Sequence, residues 1–299
     1  MKSHRWTVAS RLSAASLVSA LAGGVLLSAQ QVTNEPPRKF GASITPAYEG
    51  WFDNPDGTHS FLVGYLNRNR GREEDVPIGP GNQIEPGGPD RGQPTHFLPG
   101  RQTGMFVITV PKEFTAQQRL VWTITINGQS NSIPVHMQPD YNISPFSEIA
   151  VHNTPPVIRF DETGQTVQGP IATAVKPLAT RTTSLSTPLA LTIWAEDDAK
   201  YSSGTGAPIR NPPPPPVSIT WSKYRGPGTV TFDKAKPPLE KSAGGGVNEP
   251  YSGKGTTTAK FSEPGEYYLH ATANDFSGVG GGGFQCCWTT ALVRVSVTP

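Results

Sequence analysis

Alternation of apolar and polar residues is the main pattern along this chain. In residues 261–275, one set of alternate positions is apolar or small and would face a core. These positions are Tyr267, Leu269, Ala271 and Ala273, and the opposite face carries Tyr268, His270 and Thr272. A period of two predicts a half-buried β-strand. Residues 291–297 repeat the alternation with valines inward, and their β-branched content favours a strand as well.

The first half of the chain has the same periodicity in short segments. The predicted strands are residues 42–48, 59–66, 105–110, 120–126 and 130–137. Asn54–Gly57 is a turn signal, because proline presets φ and glycine accepts positive φ. Asn127–Gly128 is the strongest short hairpin signal in the chain. These features predict antiparallel pairing.

The second half adds predicted strands at residues 157–160, 189–195, 217–221 and 229–232. Polar connections without a clear period separate them, at residues 164–187 and 234–255. The chain has 299 residues, 32 Gly and 31 Pro, which favours many short strands and turns over helices. We therefore predict an all-β protein with two antiparallel β-sandwich domains in tandem.

The predicted domain organisation follows from these patterns and from changes in composition. It consists of a secretory signal peptide (1–29), a flexible leader (30–40), an N-terminal sandwich (41–138), a linker (139–156) and a second sandwich (157–299). The N-terminal sandwich carries a long loop rich in Arg, Gly and Pro (67–104). Structureless loops of this length are usually functional or disordered.

The amino terminus predicts export. Lys2, Arg5 and Arg11 precede an apolar run at residues 12–27, and Ala29 precedes the expected cleavage point. No second segment of this kind follows, so we expect no transmembrane segment in the mature chain and a periplasmic or extracellular location. The formal net charge of +2 argues against nucleic acid as a partner.

Three stretches of the second half resemble PKD and immunoglobulin-like repeats of secreted bacterial proteins. They are Trp221–Phe232, Thr258–Tyr267 and Ala271–Asp275, and the resemblance covers about residues 155–299. It implies a buried Trp221 and a tyrosine corner at Tyr267, with Leu269 where an antibody domain has its second cysteine. The Trp-Asp-Phe-Gly-Asp-Gly turn of the PKD pattern is missing. Such repeats typically serve as non-catalytic spacers or binding modules, and the first domain resembles no family.

Candidate binding residues lie in the first domain. The arginines of the long loop are Arg68, Arg70, Arg72, Arg91 and Arg101. They form either an adhesive, anion-binding surface or a solvated loop held by its own polar side chains. Trp51, beside a turn, either stacks on a sugar ring or is a buried aromatic of the sheet.

Candidate metal ligands lie at one predicted end of the second sandwich. In an immunoglobulin-like topology, Glu196, Asp197 and Asp198 would meet Asp275 and the glycine run 280–283. Carboxylate oxygens are ligands for calcium, although no calcium-loop motif is present and solvated acidic loop ends are the commoner case. We expect no other cofactor.

The two cysteines, Cys286 and Cys287, are adjacent, so they cannot join distant parts of this chain. Three states are possible for the pair: a vicinal disulfide, two free thiols, or disulfide bonds to other chains. The preceding glycines and an oxidising compartment favour the vicinal disulfide.

No catalytic motif is present in the sequence, and the scattered histidines are expected at the surface or in loops. The leading hypothesis is a secreted, non-enzymatic binding or structural module with a protein or glycan partner. The alternative is a carbohydrate-binding accessory protein, or a hydrolase, with a site between the two domains.

Overall fold

The computed structural model describes residues 35–148, 151–201, 213–244, 246, 249–276 and 286–299. The predicted signal peptide, the start of the leader and the glycine run 280–283 lie outside the described residues. Regular structure in the described ranges is β-strand, apart from one short 3-10 turn at Pro139–Tyr141. The prediction of an all-β fold with antiparallel sandwiches in tandem is confirmed.

The first sandwich is built from residues 44–135. Its strands are β1 (Ile44–Asp53), β2 (His59–Asn67), β3 (Glu74–Asp75), β4 (Asn82–Glu85), β5 (His96–Phe97), β6 (Gly100–Val110), β7 (Leu120–Ile126) and β8 (Gln129–Val135). Antiparallel sheets β1-β2-β6 and β4-β7-β8 face each other, and β3 pairs with β5. Their inward residues, including Phe61, Phe106 and Trp122, form one buried cluster.

The second sandwich is built from residues 157–298. Its strands are β9 (Val157–Arg159), β10 (Val167–Gln168), β11 (Ala179–Ser184), β12 (Leu189–Asp197), β13 (Val217–Arg225), β14 (Val230–Phe232), β15 (Leu239–Ala243), β16 (Tyr251–Phe261), β17 (Gly265–Asp275) and β18 (Trp288–Thr298). One sheet has the order β10-β9-β12-β16-β14, with β15 also on β16, and the other has the order β11-β18-β17-β13. The strand β11 runs parallel to β18, whereas the other pairs of this sandwich are antiparallel.

The tyrosine corner implied by the resemblance is present. The Tyr267 hydroxyl donates to the Glu263 carbonyl at 2.8 Å and accepts from the Gly228 amide at 3.0 Å. Leu269 and Trp221 are buried in the core between the two sheets. Apolar packing therefore takes the place of an inter-sheet disulfide at this point.

The long loop 67–104 is more ordered than its sequence indicates. It contains the strands β3, β4 and β5, and the side chains of Asn67, Asn69 and Asn82 are buried and hydrogen-bonded to backbone groups. In this loop, polar side chains form the hydrogen bonds that buried backbone groups need. The loop has no alternation of apolar residues, so its short strands could not be predicted from the sequence.

The same loop contacts the end of β13. The Tyr224 hydroxyl donates to the Gly92 carbonyl at 2.5 Å, and the Thr95 amide donates to the Tyr224 carbonyl at 3.2 Å. Arg225 forms a bidentate pair with Asp90, with N–O distances of 3.0 and 2.8 Å. We call this set of contacts the β13 contact.

A second contact joins the sandwiches through Trp288 and His270. Trp288 is fully buried against the outer face of the sheet β1-β2-β6, in a cluster with Phe52 and Leu62. His270 is buried as well, and its Nε2 lies 3.1 Å from the Met105 carbonyl oxygen. The expectation that His270 lies at the surface or in a loop is wrong, because His270 lies in β17 and the first sandwich covers the outward face of that strand. Residues 35–299 form one compact unit, and the predicted boundary at 139–156 stays a prediction.

Candidate functional site

Three of the five candidate arginines help to hold the first sandwich together. Arg68 is buried and donates to the Thr45 hydroxyl. Arg91 donates to the Pro86 carbonyl at 2.8 Å. Arg101 pairs at 2.8 Å with Glu49, a buried carboxylate that also accepts from the Gly104 amide.

The other two arginines, Arg70 and Arg72, are exposed. The Arg72 guanidinium lies 3.6 Å from Glu74, and two-thirds of its side chain is accessible. A binding role for the arginine loop stays a prediction. Arg101 is exposed as well, but its guanidinium is engaged with Glu49, so among the described residues of this loop Arg70 and Arg72 are the exposed arginines without a close ion pair.

Trp51 lies in β1 and is half-buried. Its indole Nε1 donates to the Gln138 carbonyl at 2.7 Å, and its ring meets His59 edge-on. These contacts fix the orientation of the ring, and stacking on a sugar stays a prediction.

The four candidate calcium ligands engage different partners. Glu196 pairs with Arg159 at 2.5 Å, and Asp198 accepts from the Thr154 amide and hydroxyl at 3.2 and 3.0 Å. Asp275 is buried and accepts from the Asn153 amide group at 2.5 Å. Within the described ranges, no three His, Cys, Asp or Glu side chains are grouped to hold a metal ion. Calcium binding stays a prediction.

Asp197 has a strongly shifted pKa. Burial raises the pKa of Asp197 to about 8, and the charges of Asp275 and Asp198 add to the effect, against the lowering by the Ala199 amide. Its Oδ1 is buried and has no hydrogen-bond partner among the described residues. The carboxyl is therefore mostly protonated at neutral pH.

Cys286 and Cys287 form the vicinal disulfide that the sequence favoured. Both residues are buried, and the Cys287 sulfur lies 3.4 Å from the Asn153 carbonyl oxygen. The disulfide directly precedes Trp288, the residue that packs on the first sandwich.

A cleft of about 380 Å³ lies between the sandwiches, beside the β13 contact. The first sandwich contributes Glu73, Asp75, His96 and Leu98 to its wall. The second sandwich contributes side chains from β13 and β14 and from the segments next to β14, among them Ser222, Lys223, Val230 and Phe232.

A hydrogen-bonded network of charged side chains forms the polar wall of this cleft. His96 Nδ1 lies 3.0 Å from Asp75 Oδ1, and His96 Nε2 lies 3.1 Å from Glu73 Oε2. Lys223 donates to the same Asp75 oxygen at 3.0 Å. Burial raises the pKa of Asp75, but the hydrogen bonds and charges of His96 and Lys223 outweigh it and hold that pKa below its usual range.

Exposure differs sharply within this network. The side chains of His96 and Lys223 are only 7% and 6% accessible, whereas Glu73 and Asp75 are 57% and 59% accessible. The two carboxylates therefore form the mouth of the cleft, and the two nitrogen bases lie beneath them.

Sequence reasoning missed this network. His96 was expected at the surface or in a loop, and it does lie in the long loop 67–104, but its side chain is buried. A usable signal was Lys223, which continues the inward alternation of Val217, Ile219 and Trp221. A charged residue at an inward position needs a partner, which here comes from the other sandwich.

The chain matches no protein-family model, and no curated protein is a significant match. Among solved structures, domains 4 and 5 of the S-layer protein SbsC align at 12% identity, covering 86% of this chain and 98% of that chain, with a TM-score of 0.20. AggA, the major subunit of aggregative adherence fimbriae type I from Escherichia coli, aligns at 17% identity over 41% and 92%, with a TM-score of 0.18. The D00-D0 domain of intimin aligns at 12% identity over 84% and 99%, with a TM-score of 0.22.

Among the residues that the structure describes, no helix is long and apolar enough to cross a membrane.

Proposed function

We propose that the protein is an exported, non-enzymatic structural or adhesion module that acts in the periplasm or outside the cell. The observation that carries the proposal is the β13 contact together with the packing of Trp288. A module that presents a binding surface needs its domains fixed relative to each other, and this chain uses its long polar loop for that purpose.

We further propose that the second sandwich is of the PKD and immunoglobulin-like type. The hydrogen bonds of Tyr267 and the burial of Trp221 support this assignment. Fold does not determine function, so the assignment adds only that such sandwiches commonly serve as spacers or binding modules.

The exposed pair Arg70 and Arg72 is the proposed contact surface for a protein partner. Exposed arginines are enriched at protein interfaces because a planar guanidinium can form two hydrogen bonds with one carboxylate. Arg68, Arg91 and Arg101 make contacts within the first sandwich and are not part of this proposed surface.

Export and binding are tested together on the full chain. When the chain is produced in a bacterial host, we expect to find it outside the cytoplasm. Its intact mass should equal that of a chain that begins at Gln30. Labelled mature protein is then incubated with intact cells of its source organism, and the bound amount is measured by flow cytometry.

The double variant Arg70→Ala, Arg72→Ala is expected to lower this binding about tenfold, the effect of losing roughly 1.4 kcal/mol. The matched control is Lys112→Ala, Lys234→Ala, which removes two exposed charges elsewhere and should bind as the parent does. Retention of the uncleaved chain in the cytoplasm, or equal binding by both double variants, would contradict the proposal.

A further inference from the structure

The cleft between the sandwiches has the size and composition of a small-molecule site. Its volume of about 380 Å³ falls within the usual range for ligand pockets, roughly 300–1,000 Å³. Its lining combines charged and hydroxyl-bearing residues with apolar ones, which is the usual combination of groups that orient a ligand and groups that hold it.

The polar wall has unused hydrogen-bonding capacity. Within the described part of the chain, Asp75 Oδ2 and Glu73 Oε1 accept no hydrogen bond, because the contacts with His96 and Lys223 use the other oxygen of each carboxylate. The Lys223 ammonium carries three N–H groups and donates one of them to Asp75. The cleft therefore offers both acceptors and donors to a ligand.

Three residues with hydroxyl side chains, Thr220, Ser222 and Thr229, also line the cleft. Each hydroxyl can donate one hydrogen bond and accept two. Together with the charged network, they suit a ligand whose own polar groups both donate and accept.

The cleft also has an apolar part. Leu98, Val230 and Phe232 line it, and the Phe232 ring stacks on Trp221 with a centroid distance of 6.5 Å. Phe232 is half-buried, so Trp221 supports its ring while part of the side chain remains accessible. A supported aromatic ring is a firm surface for the C–H face of a ligand.

The charges of the cleft argue against a charged or purely apolar ligand. An anion would meet the carboxylates of Glu73 and Asp75 at the mouth. A cation would be attracted to these carboxylates, but Lys223 already neutralises Asp75 and repels a cation that enters further. A hydrocarbon would remove water from all three groups without replacing the lost hydrogen bonds, which is costly. The remaining class is a neutral ligand with many hydroxyl groups.

We infer that this cleft binds a neutral saccharide, with Glu73, Asp75 and Lys223 hydrogen-bonded to its hydroxyl groups and Phe232 packed on its C–H face. This inference goes beyond the proposed structural role and does not depend on it, since Arg70 and Arg72 do not line the cleft.

The test begins with the labelled mature chain on a printed array of neutral, sialylated and sulfated oligosaccharides. Signal on neutral oligosaccharides is expected. Saturation-transfer difference NMR and calorimetric titration with the strongest neutral oligosaccharide then give the dissociation constant for each variant.

Two variants change different parts of the cleft lining, one charged and one aromatic. Glu73→Gln keeps an acceptor for His96 but loses the charge, and it should weaken binding about tenfold, the effect of losing a charge-assisted hydrogen bond. Phe232→Leu should weaken binding about threefold through lost ring contact. Thermal unfolding of each variant checks that the fold is retained.

The matched controls are Glu113→Gln and Phe40→Leu, which make the same changes at exposed positions outside the cleft. Both should bind as the parent does. The inference is overturned if no neutral oligosaccharide binds, if only sialylated or sulfated oligosaccharides bind, or if neither cleft variant binds more weakly than its control. A negative array with intact cell binding would remove this inference and leave the proposed function standing.

Discussion

The imidazole of His270 is fully buried where β17 meets the first sandwich. Its Nε2 lies 3.1 Å from the Met105 carbonyl oxygen, so the neutral ring donates from that nitrogen, and Nδ1 lies 3.3 Å from the Thr272 hydroxyl. Burial lowers the pKa of His270 to about 4, against the raising effect of the Met105 hydrogen bond. Because the pKa of His270 differs between the folded and unfolded chains, the free energy of unfolding depends on pH.

The pKa of His270 is lower in the folded chain than in the unfolded chain. As the pH falls, the imidazole of the unfolded chain therefore takes up a proton at a higher pH than that of the folded chain. The stability that the neutral ring provides is present above pH 6.5 and is lost as the pH falls toward 4, by on the order of 3 kcal/mol. His270→Gln, which keeps a donor for Met105, should flatten the free energy of unfolding in this window. Urea titrations at several pH values measure it.

The control for His270 is His152→Asn at an exposed position with positive φ, where asparagine is tolerated. It should leave the acid dependence unchanged. An equally steep loss of stability in His270→Gln would show that the histidine is not the group responsible.

Asp197 gives the opposite pH dependence. Its folded pKa of about 8 lies above the unfolded value, so the stability from the protonated carboxyl is present below pH 3.8 and is lost as the pH rises through 8. Asp197→Asn should stabilise the chain at pH 9 by about 2 kcal/mol, allowing for partial exposure.

The matched control for Asp197 is Asp233→Asn, at an exposed carboxyl. Chemical denaturation at pH 5 and pH 9 distinguishes the two variants. If Asp197→Asn gained no stability at pH 9 relative to pH 5, burial of the ionised carboxyl would not be costly and the account of this residue would fail.

At the scale of elements, the contact between β6 and β18 depends on one glycine. Gly104 has φ +54, and a Cβ built there would lie 3.0 Å from Trp288 Nε1 and closer still to two of its ring carbons. Gly104→Ala should therefore cost about 3 kcal/mol, from backbone strain and overlap with the indole together.

Gly100→Ala is the matched control, because Gly100 is in the same strand with φ +80 and has open space around its Cβ position. It should cost only about 1 kcal/mol, from the backbone alone. Urea titrations measure the free energy of unfolding of both variants. An equal loss of stability in the two would mean that Trp288 does not pack closely against β6 at Gly104.

Strands with large apolar residues at alternate positions could be predicted from the sequence, as β12, β17 and β18 show. The strand β16 could not, because its inward positions are mostly small or polar. They are Tyr251, Gly253, Gly255, Thr257, Ala259 and Phe261. The ring of Tyr251 folds back over Gly253 and fills the space that larger side chains would take, so the pattern lacks the apolar signal.

A site between the two domains was the alternative hypothesis, but the residues that line the cleft could not be predicted, for a different reason. Asp75 and Lys223 meet across 148 positions of sequence, and neither neighbourhood has a motif of its own. Alternation within a strand shows which face is buried, but it does not identify the element that covers the other face. The contact of His270 with Met105 was missed for the same reason.

At the scale of the whole molecule, the two sandwiches are joined by buried groups of both. Tyr224 and Leu292 of the second sandwich lie in the apolar cluster of the first, and Trp288 packs with Phe52 and Leu62. Opening this contact would expose apolar surface and leave buried polar groups without partners, which is unfavourable on both counts. The sandwiches should therefore unfold together.

Differential scanning calorimetry of the mature chain tests this coupling most directly. The account predicts one transition with a ratio of van't Hoff to calorimetric enthalpy near one. Tyr224→Ala, which removes the hydroxyl and the ring from the β13 contact, should lower the temperature of that transition or divide it in two. Two separate transitions in the unaltered chain would contradict the claim that the sandwiches form one cooperative unit.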